Sequence, residues 1–351
     1  MTTPTERSDM AACRALLKGG SHTFHAASLV LPRKVADPAV ALYAFCRLAD
    51  DAVDLGRERA AAVERLQQRL DRAYHGQPMD FAADRAFADV VARFSIPREL
   101  PAALLEGLAW DGEGRRYETL QELYGYAARV AGSVGAMMTL VMGQRSPEIV
   151  GRACDLGMAM QLTNIARDVG EDARAGRLYL PLSWLRDAGI DPDSWLAEPV
   201  FTSEIAAIVQ RLLDAADGLY SRATLGIEHL PRMCRPGIYA ARALYAEIGR
   251  ELERRGLDSV SRRAVVSGRR KLAVLGRTLA LWRTDWSPPG KMVPAVQLRE
   301  TRFLIDAVAA QPAVRQPQVA SRPIEDRVVW VIDLFTRLER RDQLLRGGSV
   351  R

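Results

Sequence analysis

Apolar residues recur along most of the chain at the three- and four-residue spacing that is typical of amphipathic α-helices, and the two-residue alternation of β-strands is rare. Ala, Leu and Arg are abundant, and these residues favour helices. The pattern therefore predicts an all-α protein. The predicted helices cover residues 9–19, 21–32, 38–55, 57–74, 98–109, 119–142, 203–229, 237–255 and 258–283, and another helix runs into the stretch 161–181.

The helix predicted over 119–142 has one smooth apolar face, and the segment 110–119 before it is expected to be a charged loop. The face is formed by Val130, Val134, Met137 and Met138. Gly132 and Gly135 beside it would let a neighbouring helix approach closely. From the pattern alone, this face is interpreted as ordinary core rather than as a surface that lines a ligand.

The pattern changes after residue 286. Two proline-rich patches, 288–294 and 312–323, flank a short helical segment, and a final amphipathic helix is predicted over 325–343. Residues 1–286 are therefore expected to form one helical domain, and 287–351 a C-terminal extension. The final helix is compatible with packing on the body, on a membrane surface or on a partner, and the pattern does not choose among them.

One helix carries acids on an otherwise apolar surface. A single stripe of the stretch 161–181 consists of Gln161, Asn164, Asp168 and Asp172. The steps between them are three, four and four positions, so they share one helix face. The surrounding residues are apolar on several sides, which predicts that the helix is packed inside the protein. Two buried acids one turn apart repel each other, and a divalent cation is the simplest compensation.

A second helix, predicted over 38–55, repeats this arrangement. Its stripe consists of Tyr43, Arg47, Asp50 and Asp54, with Asp51 close enough to share the site. Arg47 lies one turn before the acids, where its guanidinium can bind phosphate oxygens. A single acidic pair is common on solvated helices, but two such pairs on apolar helices predict facing stripes. These would hold Mg²⁺ and a phosphorylated ligand beside an apolar cavity.

The charge and the cysteines exclude several classes. A net charge of +6 suits an anionic ligand or an acidic membrane surface. No nucleic acid partner is expected, because the basic residues are dispersed and the dense run at 269–271 has no interleaved aromatic residues. The four cysteines lie far apart without a CxxC pair, so neither a disulfide framework nor a zinc site is predicted. No run approaches the roughly 20 apolar residues of a membrane span. A cytoplasmic protein, soluble or peripheral on the inner membrane, is expected.

Four segments carry a resemblance to a known family. They are SHTFHAASLVLP, YAFCRLADDAVD, RYETLQELYGYAARVAGSVG and LGMAMQLTNIARDVGEDARAGRLYLP. In this order and spacing they resemble the squalene/phytoene synthase family, and most of all its phytoene-type members, over residues 12–283. The second acidic segment reads QLTN and YLP, as in the phytoene type, rather than the squalene-type QKTN and FWP. The chain after Ser287 lies outside the resemblance.

The resemblance implies a single-domain isoprenoid synthase fold with two acidic motifs facing each other across a central cavity. It implies that two or three Mg²⁺ or Mn²⁺ ions are held by Asp50, Asp54, Asp168 and Asp172. Arg47, Arg167 and either Arg262 or Arg263, preferably Arg263, would bind diphosphate oxygens. The reacting end would be lined by Tyr43, Tyr179, Tyr245, Gln161 and Asn164, and the hydrocarbon channel by Phe24.

The implied reaction is the head-to-head condensation of two geranylgeranyl diphosphates through prephytoene diphosphate to 15-cis or all-trans phytoene, a step of carotenoid biosynthesis. No NADPH is expected, since the chain has no Gly-rich nucleotide-binding turn after a strand. Peripheral contacts with the membrane and with other carotenoid-pathway enzymes are also expected. Two alternatives stay open: a squalene- or dehydrosqualene-type enzyme acting on farnesyl diphosphate, and a catalytically silent, membrane-associated assembly factor.

Overall fold

The computed structural model describes residues 4–20, 31–54, 59–284 and 296–311; side chains are described over 5–17, 31–49, 51–52, 61–278 and 296–311. Within these ranges every regular element is helical and none is a strand, which confirms the all-α prediction. The helices are α1 (Pro4–Gly20), α2 (Arg33–Asp54), α3 (Arg59–Tyr74), α4 (Ala82–Phe94), α5 (Glu99–Gly112), α6 (Leu120–Ala127), α7 (Ser133–Val141), α8 (Pro147–Arg174), α9 (Leu182–Asp187), α10 (Pro192–Ala197), α11 (Ser203–Ile227), α12 (Arg235–Arg254), α13 (Gly268–Thr284) and α14 (Arg302–Ala309).

Helix α8, 28 residues long, is the central element. It starts with Pro147 in its first turn, where the missing N–H costs nothing, and stops before Gly176, whose φ of 75° suits a residue without a side chain. It packs against α7, α11, α12 and α14. Its buried residues, such as Leu162 and Val169, lie on several sides. The helix is therefore enclosed by its neighbours, as its apolar sequence predicts.

Two apolar cores flank α8. In the first, side chains of α2, α4, α5 and α7 pack together, and the rings of Phe45 and Phe87 stack with their centroids 3.9 Å apart. In the second, α8 packs with α11 around fully buried residues such as Leu212 and Tyr220. Both cores include buried side chains of α8. None of the helices in the described ranges is both long and apolar enough to cross a bilayer.

The helix predicted over 119–142 is interrupted. Between α6 and α7, residues Ala128–Gly132 form a π-helical turn. Such a turn carries one extra residue and shifts the side chains around it, and it is often found at functional sites. Here it rotates the start of α7 relative to α6, so that Val130 and Ala131 reach the central cavity.

Three other elements differ from the predictions. Helix α4 and the short helices α9 and α10 were not predicted. The helix predicted over 258–283 begins only at Gly268, so its start was wrong. The reason is tertiary: the Ser259 carbonyl accepts from the Gly170 N–H at 3.0 Å, and the Val260 carbonyl accepts from Arg174 Nη1, also at 3.0 Å. These bonds to α8 replace the hydrogen bonds of a helical turn.

The short helix expected between the two proline-rich patches is confirmed as α14. Its Leu304, Ile305 and Val308 are buried against α5, α7 and α8. The division between 1–286 and 287–351 stays a prediction, but this part of the extension belongs to the core. The helices expected over 21–32 and 325–343, and both proline-rich patches, lie outside the described residues.

Candidate active site

A cavity of about 400 Å³ lies between α2, α5, α7, α8, α11 and α12. Five of the residues that were predicted to bind or react with the ligand line it. They are Tyr43 and Arg47 from α2, Gln161 and Asn164 from α8, and Tyr245 from α12. Three helices therefore bring side chains that are up to about 200 positions apart in the chain to the wall of one cavity.

Most of the rest of the cavity wall is apolar, although Asp111, Thr139 and Arg152 also line it. The apolar part includes Leu104, Leu108, Val134, Met138, Met142, Leu156, Ile227 and Leu230. The interpretation of the α7 face as ordinary core was wrong for Val130, Val134 and Met138, which line the cavity, and right for Met137, which is fully buried away from it. The cavity therefore offers a few charged and polar groups together with apolar walls that suit a hydrocarbon chain.

Asp168 is held by two arginines. Arg167 donates from Nε and Nη2 to its two carboxylate oxygens at 2.7 and 2.5 Å. Arg263 donates to the same two oxygens, from Nε at 2.8 Å and from Nη2 at 3.2 Å. Arg262 is exposed and has no ion pair within the described part of the chain. Of these two arginines, Arg263 is thus the one that contacts Asp168, and its binding of diphosphate stays a prediction.

Asp172, one turn further along α8, is far less well compensated. Its side chain is 18% exposed, and the nearest cation among the described side chains, Arg177, places its Nε 3.7 Å away. Burial raises the pKa of Asp172 from 3.8 to about 7, and repulsion from Asp168, Asp111 and Glu171 adds to that shift while Arg177 opposes it. A buried carboxylate in this state favours a bound cation.

Arg47 makes an ion pair within its own helix. Its Nε donates to Asp51 at 3.1 Å, and its Nη2 lies 2.5 Å from the other oxygen of that carboxylate. Both side chains are more than a third exposed, so the pair is weak and its cation can turn to another anion. Arg47 is therefore placed on the cavity wall, as predicted, with a carboxylate partner that the sequence analysis had assigned only loosely to the site.

Asp111 is a site residue that the sequence analysis missed. It lies in the last turn of α5, where a loop was expected, and it lines the cavity. Tyr126 donates its hydroxyl to one carboxylate oxygen at 2.8 Å, and Tyr179 donates to the other at 2.6 Å. The only indication of Asp111 in the sequence is that an acidic residue lies two positions after the mostly apolar helix predicted over 98–109.

The phenols around Asp111 stay protonated. Burial, followed by the charge of Asp111, raises the pKa of both Tyr126 and Tyr179 well above that of free tyrosine. The ring of Tyr117 packs against both, with centroids 5.3 and 6.3 Å away. The predicted site residue Tyr179 is thus a hydrogen-bond donor held by the Asp111 carboxylate and packed against two rings.

The donor set fits a hard divalent cation, because it consists of carboxylate oxygens and includes a poorly compensated one. Among the described side chains, however, no three potential ligands come together to hold a metal ion. A complete set would have to include Asp50 or Asp54. The backbones of both lie in α2, which lines the cavity, but their side chains lie outside the described ones, as does all of Phe24.

Gly170 brings Arg263 to the site. A Cβ atom on Gly170 would lie 2.1 Å from the Val260 carbonyl oxygen, so only glycine lets the segment 258–267 lie directly on α8. We expect Gly170→Ala to push this segment away from Asp168 and to lower the free energy of unfolding by roughly 2 kcal/mol, measured by urea denaturation.

The matched control is Gly218→Ala, in the interior of α11. No atom lies within 4 Å of a Cβ placed there. Removing a helical glycine at an open position should raise the free energy of unfolding, by up to about 1 kcal/mol. If both alanine variants gained stability alike, the close approach at Gly170 would be disproved.

Three comparisons with known proteins bear on this site. Residues 17–270 match the sequence profile of the family described as Squalene/phytoene synthase. The chain is 52% identical over 305 residues to a phytoene synthase of Rhodobacter capsulatus, covering 86% of this chain and 90% of that one. It is 49% identical over 348 residues to a phytoene synthase of Cereibacter sphaeroides, covering 95% of each.

Solved structures agree with the fold. A dehydrosqualene synthase in complex with a ligand superposes with a TM-score of 0.73 at 30% identity, over 80% of this chain and 98% of that one. The squalene synthase HpnC from Alicyclobacillus acidocaldarius superposes with a TM-score of 0.67 at 25% identity, over 73% and 97%. The likeness thus covers the helical body that encloses the cavity.

Proposed function

Because the chain belongs to the squalene/phytoene synthase family, we propose that it is a phytoene synthase, a prenyltransferase of carotenoid biosynthesis. It joins two geranylgeranyl diphosphates head to head and releases diphosphate. The observation that carries the proposal is the cavity, which is lined by Arg47, Arg152 and Asp111 and otherwise mostly by apolar helix faces. Relatives 52% and 49% identical to this chain bear the name phytoene synthase.

The charged side chains would bind the diphosphate groups. Arg47, Arg167 and Arg263 are the cations placed to bind phosphate oxygens, since planar guanidinium groups match them with paired hydrogen bonds. We assign the metal to Asp50, Asp54, Asp168 and Asp172. When bound, two or three Mg²⁺ or Mn²⁺ ions supply the positive charge that neutralises the leaving diphosphate.

The protein's own groups would then direct an allylic cation. The amides of Gln161 and Asn164 and the hydroxyls of Tyr43 and Tyr245 orient the reacting ends, and Tyr179 keeps its proton beside the acids. The cation adds to the double bond of the second substrate, and loss of a proton closes the cyclopropane ring of prephytoene diphosphate. Loss of the second diphosphate, rearrangement and loss of a proton give 15-cis or all-trans phytoene. No NADPH is expected to take part.

The apolar walls have a chemical use in this scheme. Water would quench an allylic cation, and a site lined by residues such as Leu104, Val134 and Met138 excludes it. These walls also suit a substrate and a product that partition into lipid. We therefore expect a cytoplasmic enzyme with peripheral contacts to the inner membrane and to other carotenoid-pathway enzymes.

Product analysis tests the proposal. Purified full-length protein is incubated with Mg²⁺ and either geranylgeranyl or farnesyl diphosphate, and the hydrocarbon is identified by mass. We expect a C40 product from the C20 substrate. Absence of any product from both substrates would favour the silent assembly factor.

A C15 substrate is the second candidate, because a solved structure named as a dehydrosqualene synthase shares 30% of its residues with this chain and the same fold. The two candidates differ in the length of chain that the cavity accepts. A C30 product from farnesyl diphosphate, with none from the C20 substrate, would establish this candidate and overturn the assignment to phytoene.

A further inference from the structure

The hydrogen-bonding capacity of the Asp168 carboxylate is full. Each of its two oxygens accepts one N–H from Arg167 and one from Arg263. A carboxylate offers about four acceptor positions. A cation that binds these oxygens must therefore displace at least one guanidinium N–H.

The two arginines differ in how easily they can leave. Arg167 directly precedes Asp168 on the same helix, and its side chain is 17% exposed. Arg263 lies on the non-helical segment 258–267, its side chain is 43% exposed, and one of its bonds is 3.2 Å long. Arg263 Nε also lies 3.6 Å from Glu171, a second carboxylate on α8. Arg263 is therefore the group that can move without disturbing α8.

We propose that Arg263 is exchanged between two partners: it holds Asp168 until metal and diphosphate arrive together, and then moves to the diphosphate. This rests on the proposed function, in which the same arginine binds diphosphate and the same aspartate binds metal. A divalent cation alone must compete with both guanidinium groups for the Asp168 oxygens. A diphosphate that arrives with the metal offers Arg263 another anion to bind, so the Asp168 oxygens become available to the metal. Arg263 thus makes binding of the metal depend on binding of the diphosphate.

The test is a Mn²⁺ titration of the full-length protein, with free Mn²⁺ followed by electron paramagnetic resonance. The variants are Arg263→Gln and, as a matched control one residue away, Arg262→Gln. We expect Arg263→Gln to bind Mn²⁺ alone about tenfold more tightly, as expected for the loss of a charge-assisted pair. Arg262→Gln should match the wild type, because this arginine has no ion pair within the described residues.

The titration is repeated with inorganic pyrophosphate, corrected for the complex that pyrophosphate forms with Mn²⁺ in protein-free buffer. Pyrophosphate should strengthen Mn²⁺ binding to the wild type, and this gain should fall about tenfold in Arg263→Gln. Arg263→Lys, which keeps the charge but not the paired geometry, should lie between the two. A merely structural arginine would not tighten metal binding when removed.

The outcomes separate the inference from the proposed function. If the wild type binds Mn²⁺ with a gain from pyrophosphate, and Arg263→Gln has the same affinity and the same gain, the exchange is overturned while the metal-dependent function stands. Weaker binding of Mn²⁺ alone to Arg263→Gln overturns it too. If the wild type binds no Mn²⁺ under either condition, both the exchange and the metal-dependent function fail.

Discussion

Asp172→Asn is expected to reduce formation of the C40 product at least about a hundredfold, because it removes charge where the leaving group must be neutralised. The same substitution should raise the free energy of unfolding. Asp172 is 18% exposed and the nearest cation in the described part of the chain is 3.7 Å away, so the native state buries a poorly compensated charge. Product analysis and urea denaturation in the presence of EDTA check the two parts.

The stabilisation expected for Asp172→Asn should depend on pH. The pKa of Asp172 is raised from 3.8 to about 7 by burial. Between these values the unfolded chain binds fewer protons than the native protein, so the free energy of unfolding falls as pH rises from about 4 to 7. The free energy of unfolding of the wild type should show this fall between pH 4 and 7, and that of Asp172→Asn should not. The stability gained by the variant should therefore grow as the pH rises towards neutrality.

Asp168→Asn is the matched control, because it changes the same group one turn away. Asp168 accepts four N–H groups, and its loss leaves Arg167 and Arg263 without their carboxylate. This variant should lose both activity and stability. If Asp172→Asn were destabilised as much as Asp168→Asn, the difference in compensation between the two acids would be refuted.

Asp111→Ala is expected to lower the free energy of unfolding by about 3 kcal/mol and to reduce product formation at least tenfold. The carboxylate accepts from Tyr126 at 2.8 Å and from Tyr179 at 2.6 Å, and each hydrogen bond to a charged group contributes about 1.5 to 3 kcal/mol. Its removal takes the shared carboxylate acceptor away from two buried phenols. Urea denaturation and initial rates measure the two effects.

Tyr126→Phe and Tyr179→Phe measure separately how much each hydrogen bond to Asp111 contributes to the free energy of unfolding. Each removes one donor and leaves Asp111 with the other, so each should cost less stability than Asp111→Ala. Because the two hydroxyls share one carboxylate, the double variant should depart from the sum of the single ones. Strict additivity, or an Asp111→Ala protein as stable as the wild type, would show that these hydrogen bonds do not act together.

The acid stripe on α8 could be predicted from the sequence because helix geometry is local. Steps of three and four residues place Gln161, Asn164 and Asp168 on one face whatever surrounds the helix. The apolar residues between them predicted that α8 would be enclosed, and the structure confirms it. The second stripe, with Asp50 and Asp54, stays a prediction, since those side chains lie outside the described ones.

The cluster around Asp111 could not be predicted in this way. Tyr126 and Tyr179 lie 15 and 68 positions from Asp111 in the chain, on separate elements. No periodicity links such positions, because their distance depends on how three segments pack. The same holds for Arg263, which reaches Asp168 across 95 positions only because Gly170 admits its backbone segment.

The start of α13 shows tertiary contacts overriding a local preference. The residues from 258 to 267 have a helical pattern, but their carbonyls are used by α8 instead, through Gly170 and Arg174. The face of α7 shows the same limit. Val134 and Met137 are both apolar. Val134 lines the cavity and Met137 is buried in the core, and this difference depends on how α7 is placed beside the cavity.

The sequence by itself determined the helical class and which residues share a helix face, because the rise and turn of a helix depend only on neighbouring positions. Its motifs also determined the family. The tertiary structure alone decided which faces meet across the cavity, which of two adjacent arginines pairs with Asp168, and which acid is left poorly compensated. Those outcomes depend on distances of a few ångströms between segments far apart in the chain, and such distances are set by packing.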